Sequence, residues 1–164
     1  MNMTHYMELL ATGQPWNLIL FMAIPVILAE TVAITELGVL FTRRTDGTLR
    51  AVNKFASVTV GLYFTVVFVY LLFQVVIPLT AGGGWRGWVD VAAVSFYLLG
   101  IVPLLGLALL DMGLLQKGRP EAQRLKIHAY FVGIFLVVTH LAMIFGMLDP
   151  YLFSTVPVHM SHPM

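Results

Sequence analysis

The stretch that decides the fold is residues 61–80, GLYFTVVFVYLLFQVVIPLT, which carries no charged side chain over its whole length. It lies inside a longer uncharged run that extends from Phe55 to Trp85. A helix needs about 20 consecutive apolar residues to cross the roughly 30 Å hydrocarbon core of a bilayer. A run of this length therefore predicts a transmembrane helix.

Three further stretches meet the same length requirement, so the sequence predicts four spans. The whole chain has 164 residues, of which 59% are hydrophobic and only 10% charged, whereas a soluble domain is about 25% charged. We expect an all-α integral membrane protein, a four-helix up-down bundle embedded in the lipid bilayer. The predicted helices cover residues 15–41, 52–80, 88–115 and 125–148, with external tails at 1–14 and 149–164. The first stretch is too long for a signal-peptide core, so it should stay in the mature protein.

Basic residues collect around the first and third connections, while the middle connection holds only Arg86. Because loops rich in lysine and arginine stay in the cytoplasm, this distribution predicts that both chain termini lie outside, in the periplasm of a bacterial cell. The basic residues concerned are Arg43, Arg44, Arg50, Lys54, Lys117, Arg119, Arg124 and Lys126.

Several classes of function are disfavoured by composition. The formal net charge is only +1 and no basic face is evident, which argues against nucleic-acid binding. Cysteine is absent, which excludes thiolate metal sites and cysteine nucleophiles. No nucleotide-binding glycine pattern or hydrolase motif is present, so an ATP-driven pump or a hydrolase is disfavoured.

Both chain ends are rich in methionine and histidine, and the predicted topology places them on the same outer face. Thioether and imidazole groups form the ligand set that suits Cu(I), and methionine remains available in an oxidising compartment where a free thiol would not last. The alternative is that short polar tails acquire such residues by chance. The residues are Met1, Met3, His5 and Met7 at one end and His159, Met160, His162 and Met164 at the other.

Ionisable residues inside predicted spans are costly and are therefore functional candidates. In an outer layer, His140, Met143 and Met147 form one stripe on the fourth helix, and Met22 and Glu30 lie on roughly one side of the first. We expect these five residues to line one cavity that opens toward the tails. The alternative is that the methionines are apolar filler and that Glu30 and His140 satisfy each other by a hydrogen bond.

In an inner layer, Glu36, Asp111 and His128 lie within a turn or two of the basic connections. Structural ion pairing is the preferred interpretation, because snorkelling and water soften the cost of a charge at this depth. A functional interpretation would make the three residues an exit for a proton or a cation.

Haem is an alternative cofactor, because two histidines twelve residues apart on one membrane helix resemble the spacing in di-haem membrane cytochromes. That resemblance would make His128 and His140 axial ligands of haem b, in an electron-transfer protein linked to a quinone. However, twelve residues leave these two side chains about 120° apart around the helix. A homodimer or a methionine would also have to supply the second ligands.

The segments Gln14-Pro15-Trp16-Asn17, Ala29-Glu30-Thr31 and Thr35-Glu36 resemble a group of small, uncharacterised four-span bacterial membrane proteins loosely labelled permeases. The resemblance implies a bacterial inner (plasma) membrane setting. Our leading expectation is a protein that binds copper or another soft transition metal at its outer face, in a homo-oligomer or larger membrane complex, for metal handling, delivery or transport. A metal-accepting protein or a quinone would be its partner. The alternatives are the haem or quinone electron carrier and a non-catalytic accessory subunit.

Overall fold

The structure of the protein is a computed structural model, which describes residues 3–42, 47–115, 118 and 120–151. This part of the chain is built from helices joined by turns and contains no strand, which confirms the predicted all-α class. Five helices follow one another along it: α1 (His5–Ala11), α2 (Trp16–Thr42), α3 (Thr48–Gly82), α4 (Trp88–Asp111) and α5 (Glu121–Met147).

Helices α2 to α5 are long and apolar enough to cross a membrane, with mean hydropathies between 2.1 and 2.3. Large apolar side chains also cover the outside of the bundle, for example Phe41 and Val66, which are 84% and 70% exposed. Such a surface is stable in lipid and not in water. The protein is therefore a multi-pass membrane protein. The third span ends at Asp111, short of the expected position 115, because the chain turns at Gly113 with a φ of +74°.

The four spans pack in chain order around α3 and α4. Helix α3 lies along α2 on one side and along the second half of α4 on the other, and α5 packs along α4. A buried apolar layer that includes Val32, Val60, Leu107 and Val132 joins all four spans. Helices α2 and α5 contact each other only sparsely. A seam therefore runs between the first and the last span.

Residues 1–14 were expected to form an external tail, but the described part of this segment contains a helix. Residues 5–11 form α1, which begins after Thr4, whose side chain accepts a hydrogen bond from the Met7 amide. Leu10 of α1 is 3% exposed and packs in a cluster with Phe21 and Leu98. Because apolar side chains fall on one face of this short helix, it docks on the bundle. The C-terminal tail after Tyr151 lies outside the described residues.

A π-helical turn at Ile19–Ala23 interrupts α2 just before Pro25. Proline lacks an amide hydrogen, so carbonyl groups one turn earlier lose their helical partner. The hydroxyls of Tyr63 and Tyr97 donate to the carbonyls of Leu20 and Phe21. These two tyrosines therefore satisfy the interrupted backbone at a depth where water is scarce.

Candidate functional site

A pocket of about 220 Å³ lies in the seam between α2 and α5, at the end of the bundle that α1 covers. We call this end the α1 end, and the opposite end, where α2 and α4 end and α3 and α5 begin, the basic end. All five helices contribute to the pocket wall. Because α2 and α5 barely touch, the space between them is not filled by either helix.

Methionine dominates the pocket wall. Five of the six methionines in the described residues line it, and the sixth, Met112, lies at the basic end. Met143 and Met147 are 44% and 72% exposed, so the rim of the pocket is open. The five are Met3, Met7, Met22, Met143 and Met147.

The methionines reach one level of the bundle from three separate elements. The contact between Glu36 and His128 sets a common height for α2 and α5. At about 1.5 Å per residue, Met22 lies about 21 Å above that contact and Met143 about 22 Å above it. Met22 and Met143 therefore line the pocket at a similar height from two sides of the seam, and the N-terminal segment adds Met3 and, from α1, Met7.

The remaining wall is apolar or uncharged. None of the lining residues is charged, and the polar ones are Tyr6, Gln14, Tyr97 and Thr139. The rings of Tyr6 and Tyr97 lie 4.8 Å apart, centroid to centroid. Burial raises the pKa of Tyr6 to about 12, because the phenolate form is poorly solvated there. The pocket thus offers thioether sulfurs and aromatic faces but no carboxylate.

Glu30 and His140 do not line this pocket, although the sequence placed them with its methionines. Both residues are exposed on the outside of the bundle. Counting from the Glu36–His128 level at about 1.5 Å per residue, they stand about 9 Å and about 18 Å high, too far apart for a hydrogen bond. The His140 ring bonds the carbonyl of Leu136 on its own helix. Within the described chain, Glu30 has no polar partner.

His5 also lies away from the pocket, in a shallow groove between α1 and α3. Its backbone amide donates to Asp90 Oδ1 over 2.7 Å, and its ring Nδ1 lies 2.5 Å from Asp90 Oδ2. Asp90 is fully buried and also accepts from the amide of Arg86. His5 therefore anchors α1 to α4. The predicted ligands His159, Met160 and His162 lie outside the described residues.

A second cluster of polar side chains is buried at the basic end. The His128 ring lies between two carboxylates, with Nδ1 2.8 Å from Glu36 Oε2 and Nε2 3.0 Å from Asp111 Oδ2. These three residues are at most 3% exposed and come from α2, α4 and α5. They form the ionic contact that the sequence suggested for its inner layer.

Helix α3 completes this cluster. Arg50 Nη2 donates to Asp111 Oδ1 over 2.9 Å, and Ser57 Oγ donates to Asp111 Oδ2. Asn53, fully buried, accepts from Arg50 and donates to Thr35. All four spans thus contribute polar groups to one site.

The geometry of His128 does not favour the haem interpretation. Both ring nitrogens face carboxylate oxygens, so neither is presented to an iron atom. His140, the other proposed axial ligand, points away from the bundle. Among the described residues, no group of three or more histidine, aspartate or glutamate side chains is arranged to hold a metal ion.

Sequence reasoning missed Asn53 and Ser57. These two residues are four apart and therefore lie on one face of α3, at the start of the long uncharged run of that helix. That spacing was the available signal for the α3 contribution.

These features define a class: a multi-pass membrane bundle of four spans, with an apolar methionine pocket at one end and a buried ionic cluster at the other. Residues 1–162 match a family described as a family of unknown function (DUF6803), and the chain belongs to that family. No curated protein and no solved structure matches the chain.

Proposed function

We propose that the protein binds a soft transition metal ion, Cu(I), in the methionine pocket, and that it handles copper at the outer face of a bacterial inner membrane. The observation that carries the proposal is the convergence of five methionines from α1, α2 and α5 on one pocket. The outward orientation of the α1 end rests on the basic residues around the connections at the other end, and the bacterial inner membrane rests on the resemblance of the first span to small bacterial membrane proteins.

The chemistry of the pocket suits a monovalent soft cation. Thioether sulfur is a neutral ligand that prefers Cu(I) over harder ions, and Cu(I) accepts few ligands. The aromatic rings of Tyr6 and Tyr97 also line the wall and favour a cation over their faces. A divalent ion without a carboxylate ligand would remain an uncompensated charge in an apolar wall. We therefore expect Cu(I) and not Zn²⁺ or Mg²⁺.

The open rim suggests how the metal enters and leaves. Met143 and Met147 sit on the rim, and the chain continues from α5 into the segment that contains His159, Met160 and His162. In this proposal these tail residues capture copper and pass it to the pocket. Glu30 and His140 do not line the pocket, so the proposal gives them no role as ligands.

The proposal is tested by measuring Cu(I) affinity of the detergent-purified full-length protein, in ascorbate, by competition with a Cu(I) chelator. We expect the double variant Met22→Leu with Met143→Leu to bind at least tenfold more weakly than the wild type. Leucine is close in volume to methionine, so the fold should tolerate the change. Met112→Leu, at the basic end, is the matched control and should bind like the wild type. Equal affinity in all three proteins would refute the proposal.

A second candidate is suggested by the uncharged, largely apolar wall and open rim of the same pocket. These features also suit an apolar ligand such as a quinone ring or a lipid chain, which would support the electron-carrier interpretation. The two candidates respond differently to substitution. The methionine-to-leucine pair should leave apolar-ligand binding unchanged, whereas Ala142→Phe should fill the pocket and abolish it.

A further inference from the structure

Glu36 is the least satisfied polar group in the basic-end cluster. Its side chain is 2% exposed, and neither carboxylate oxygen accepts a hydrogen bond within the described part of the chain. Its Oε2 nevertheless lies 2.8 Å from Nδ1 of His128, which also lacks a hydrogen bond of acceptable direction. Such a group is costly to bury as an unpaired charge. Its protonation is therefore tied to that of the imidazole beside it.

The other side of the ring fixes where one imidazole hydrogen must be. Asp111 is held as a carboxylate by Arg50, whose Nη2 donates to Oδ1 over 2.9 Å. Its Oδ2 faces His128 Nε2 at 3.0 Å, so Nε2 must be the donor and carry a hydrogen. In a neutral ring Nδ1 would then hold a lone pair only 2.8 Å from Glu36 Oε2.

A lone pair of the imidazole and a lone pair of an ionised carboxylate cannot lie 2.8 Å apart in a buried site without a large cost. A further proton must therefore reside either on Nδ1, giving an imidazolium beside a glutamate anion, or on Glu36, giving a neutral acid beside a neutral ring. Both arrangements leave the cluster neutral overall, because Arg50 balances Asp111. Loss of that proton would leave one buried negative charge with no partner.

We propose that Glu36 and His128 form a binding site for one exchangeable proton, with Asp111 and Arg50 fixing the hydrogen on Nε2 of His128 and balancing each other's charge. The Arg50 side chain is 22% exposed, so the cluster lies close to the aqueous surface at the basic end. This site is independent of the proposed metal pocket, which lies at the opposite end of the bundle.

The charged and titratable groups around the pair come from every helix that packs on it. Helix α2 supplies Glu36, α3 supplies Arg50 and α4 supplies Asp111. On α5 itself, Arg124 donates to the Leu110 carbonyl over 2.8 Å and does not contact the carboxylates. Lys54, four residues from Arg50 on α3, and Lys126, two residues from His128 on α5, are exposed.

The proton held between Glu36 and His128 also stabilises the contact between α2 and α5, which otherwise have little contact. The Glu36–His128 contact bridges α2 and α5 across the seam. When the proton leaves, the ion pair or hydrogen bond between Glu36 and His128 is lost. The Glu36 carboxylate then repels the lone pair of the imidazole in a site of low dielectric constant. We therefore expect deprotonation to loosen α5 from α2 at the basic end, in the same seam that forms the pocket above.

The first test needs no change in the cluster. Replacing the other four histidines by asparagine leaves His128 as the only ring, and its nitrogen-15 spectrum reports which ring nitrogens carry hydrogen. At pH 7 we expect either two N–H groups, or one N–H group on Nε2 together with the infrared carbonyl band of a protonated carboxylic acid. A neutral ring at pH 7 with no protonated carboxylic acid would overturn the proposal.

The second test uses two glutamates of α2, six residues apart. Glu36→Gln should remove any protonated-acid band and change the proton affinity of the His128 ring at least tenfold. Glu30→Gln, on the exposed side of the same helix, should change neither. If both variants titrate like the wild type, Glu36 is not part of a proton site. If Glu36→Gln fails to fold, the His128 spectrum of the first test, in which Glu36 is unchanged, still decides the question.

Discussion

Gly61 lies where α3 meets the backbone of α4, so adding one methyl group there tests a close contact between these two helices. A Cβ built at Gly61 would stand 2.5 Å from the Ala108 Cβ and 2.6 Å from the Leu104 carbonyl oxygen. Ordinary contacts begin at 3.4 Å. The Gly61→Ala variant must therefore push α3 and α4 apart by about 0.8 Å, because a backbone carbonyl cannot rotate away as a flexible side chain can.

The cost of that displacement follows from two opposing effects. Overpacking a tight core costs about 1–3 kcal/mol. Replacing glycine by alanine inside a helix returns about 1 kcal/mol. We expect Gly61→Ala to lower the free energy of unfolding by up to about 2 kcal/mol after both effects. Ala108→Gly should restore only part of this loss in the double variant, since the Leu104 carbonyl remains in the way.

The matched control is Gly133→Ala on α5, where a Cβ would meet nothing within 4 Å. Reversible unfolding of the detergent-solubilised protein, followed by far-ultraviolet circular dichroism, measures all three variants. Gly133→Ala should be neutral or slightly stabilising. A Gly61→Ala protein that is as stable as Gly133→Ala would refute the close approach of α3 and α4, and with it the small-residue packing of these two spans.

Two further predictions concern the α1 end. Asp90→Asn should release α1, because it weakens the contacts of Asp90 with His5 and with the Arg86 amide, and hydrogen bonds to a charged group contribute about 1.5–3 kcal/mol. Hydrogen exchange of residues 5–11 should accelerate, whereas Glu8→Gln, in an exposed pair with Arg86, should change little; equal protection in both would contradict the anchoring role. Tyr6 should ionise near pH 12 and not near pH 10, as measured by the ultraviolet titration difference between wild type and Tyr6→Phe. Because the folded state keeps a proton that the unfolded state releases, stability should fall as pH rises from about 10 to about 12; a Tyr6 step near pH 10 would contradict its burial.

The convergence of Met22 with Met143 and Met147 could be anticipated in part from spacing along each helix. Spacing along the helix could not show whether Glu30 lies with these methionines. An α-helical count from Met22 to Glu30 ignores the π-helical turn at Ile19–Ala23, which changes the angular position of Met22 relative to the later residues of α2. The docking of α1, which brings Met3 and Met7 to the pocket, depends on tertiary contacts of Leu10 that no local pattern reveals.

What the sequence by itself determined is the number of spans and the helical class, because the length and hydropathy of each apolar run are local properties that any bilayer reads in the same way. Only the tertiary structure decided which side of each helix faces its neighbours. Lipid is as apolar as the interior of the bundle, so the helices carry no polar face to mark their outer side. For this reason the sequence did not show which histidine of α5, His128 or His140, would be buried in the bundle. Packing buried His128 between two carboxylates and left His140 on the outside.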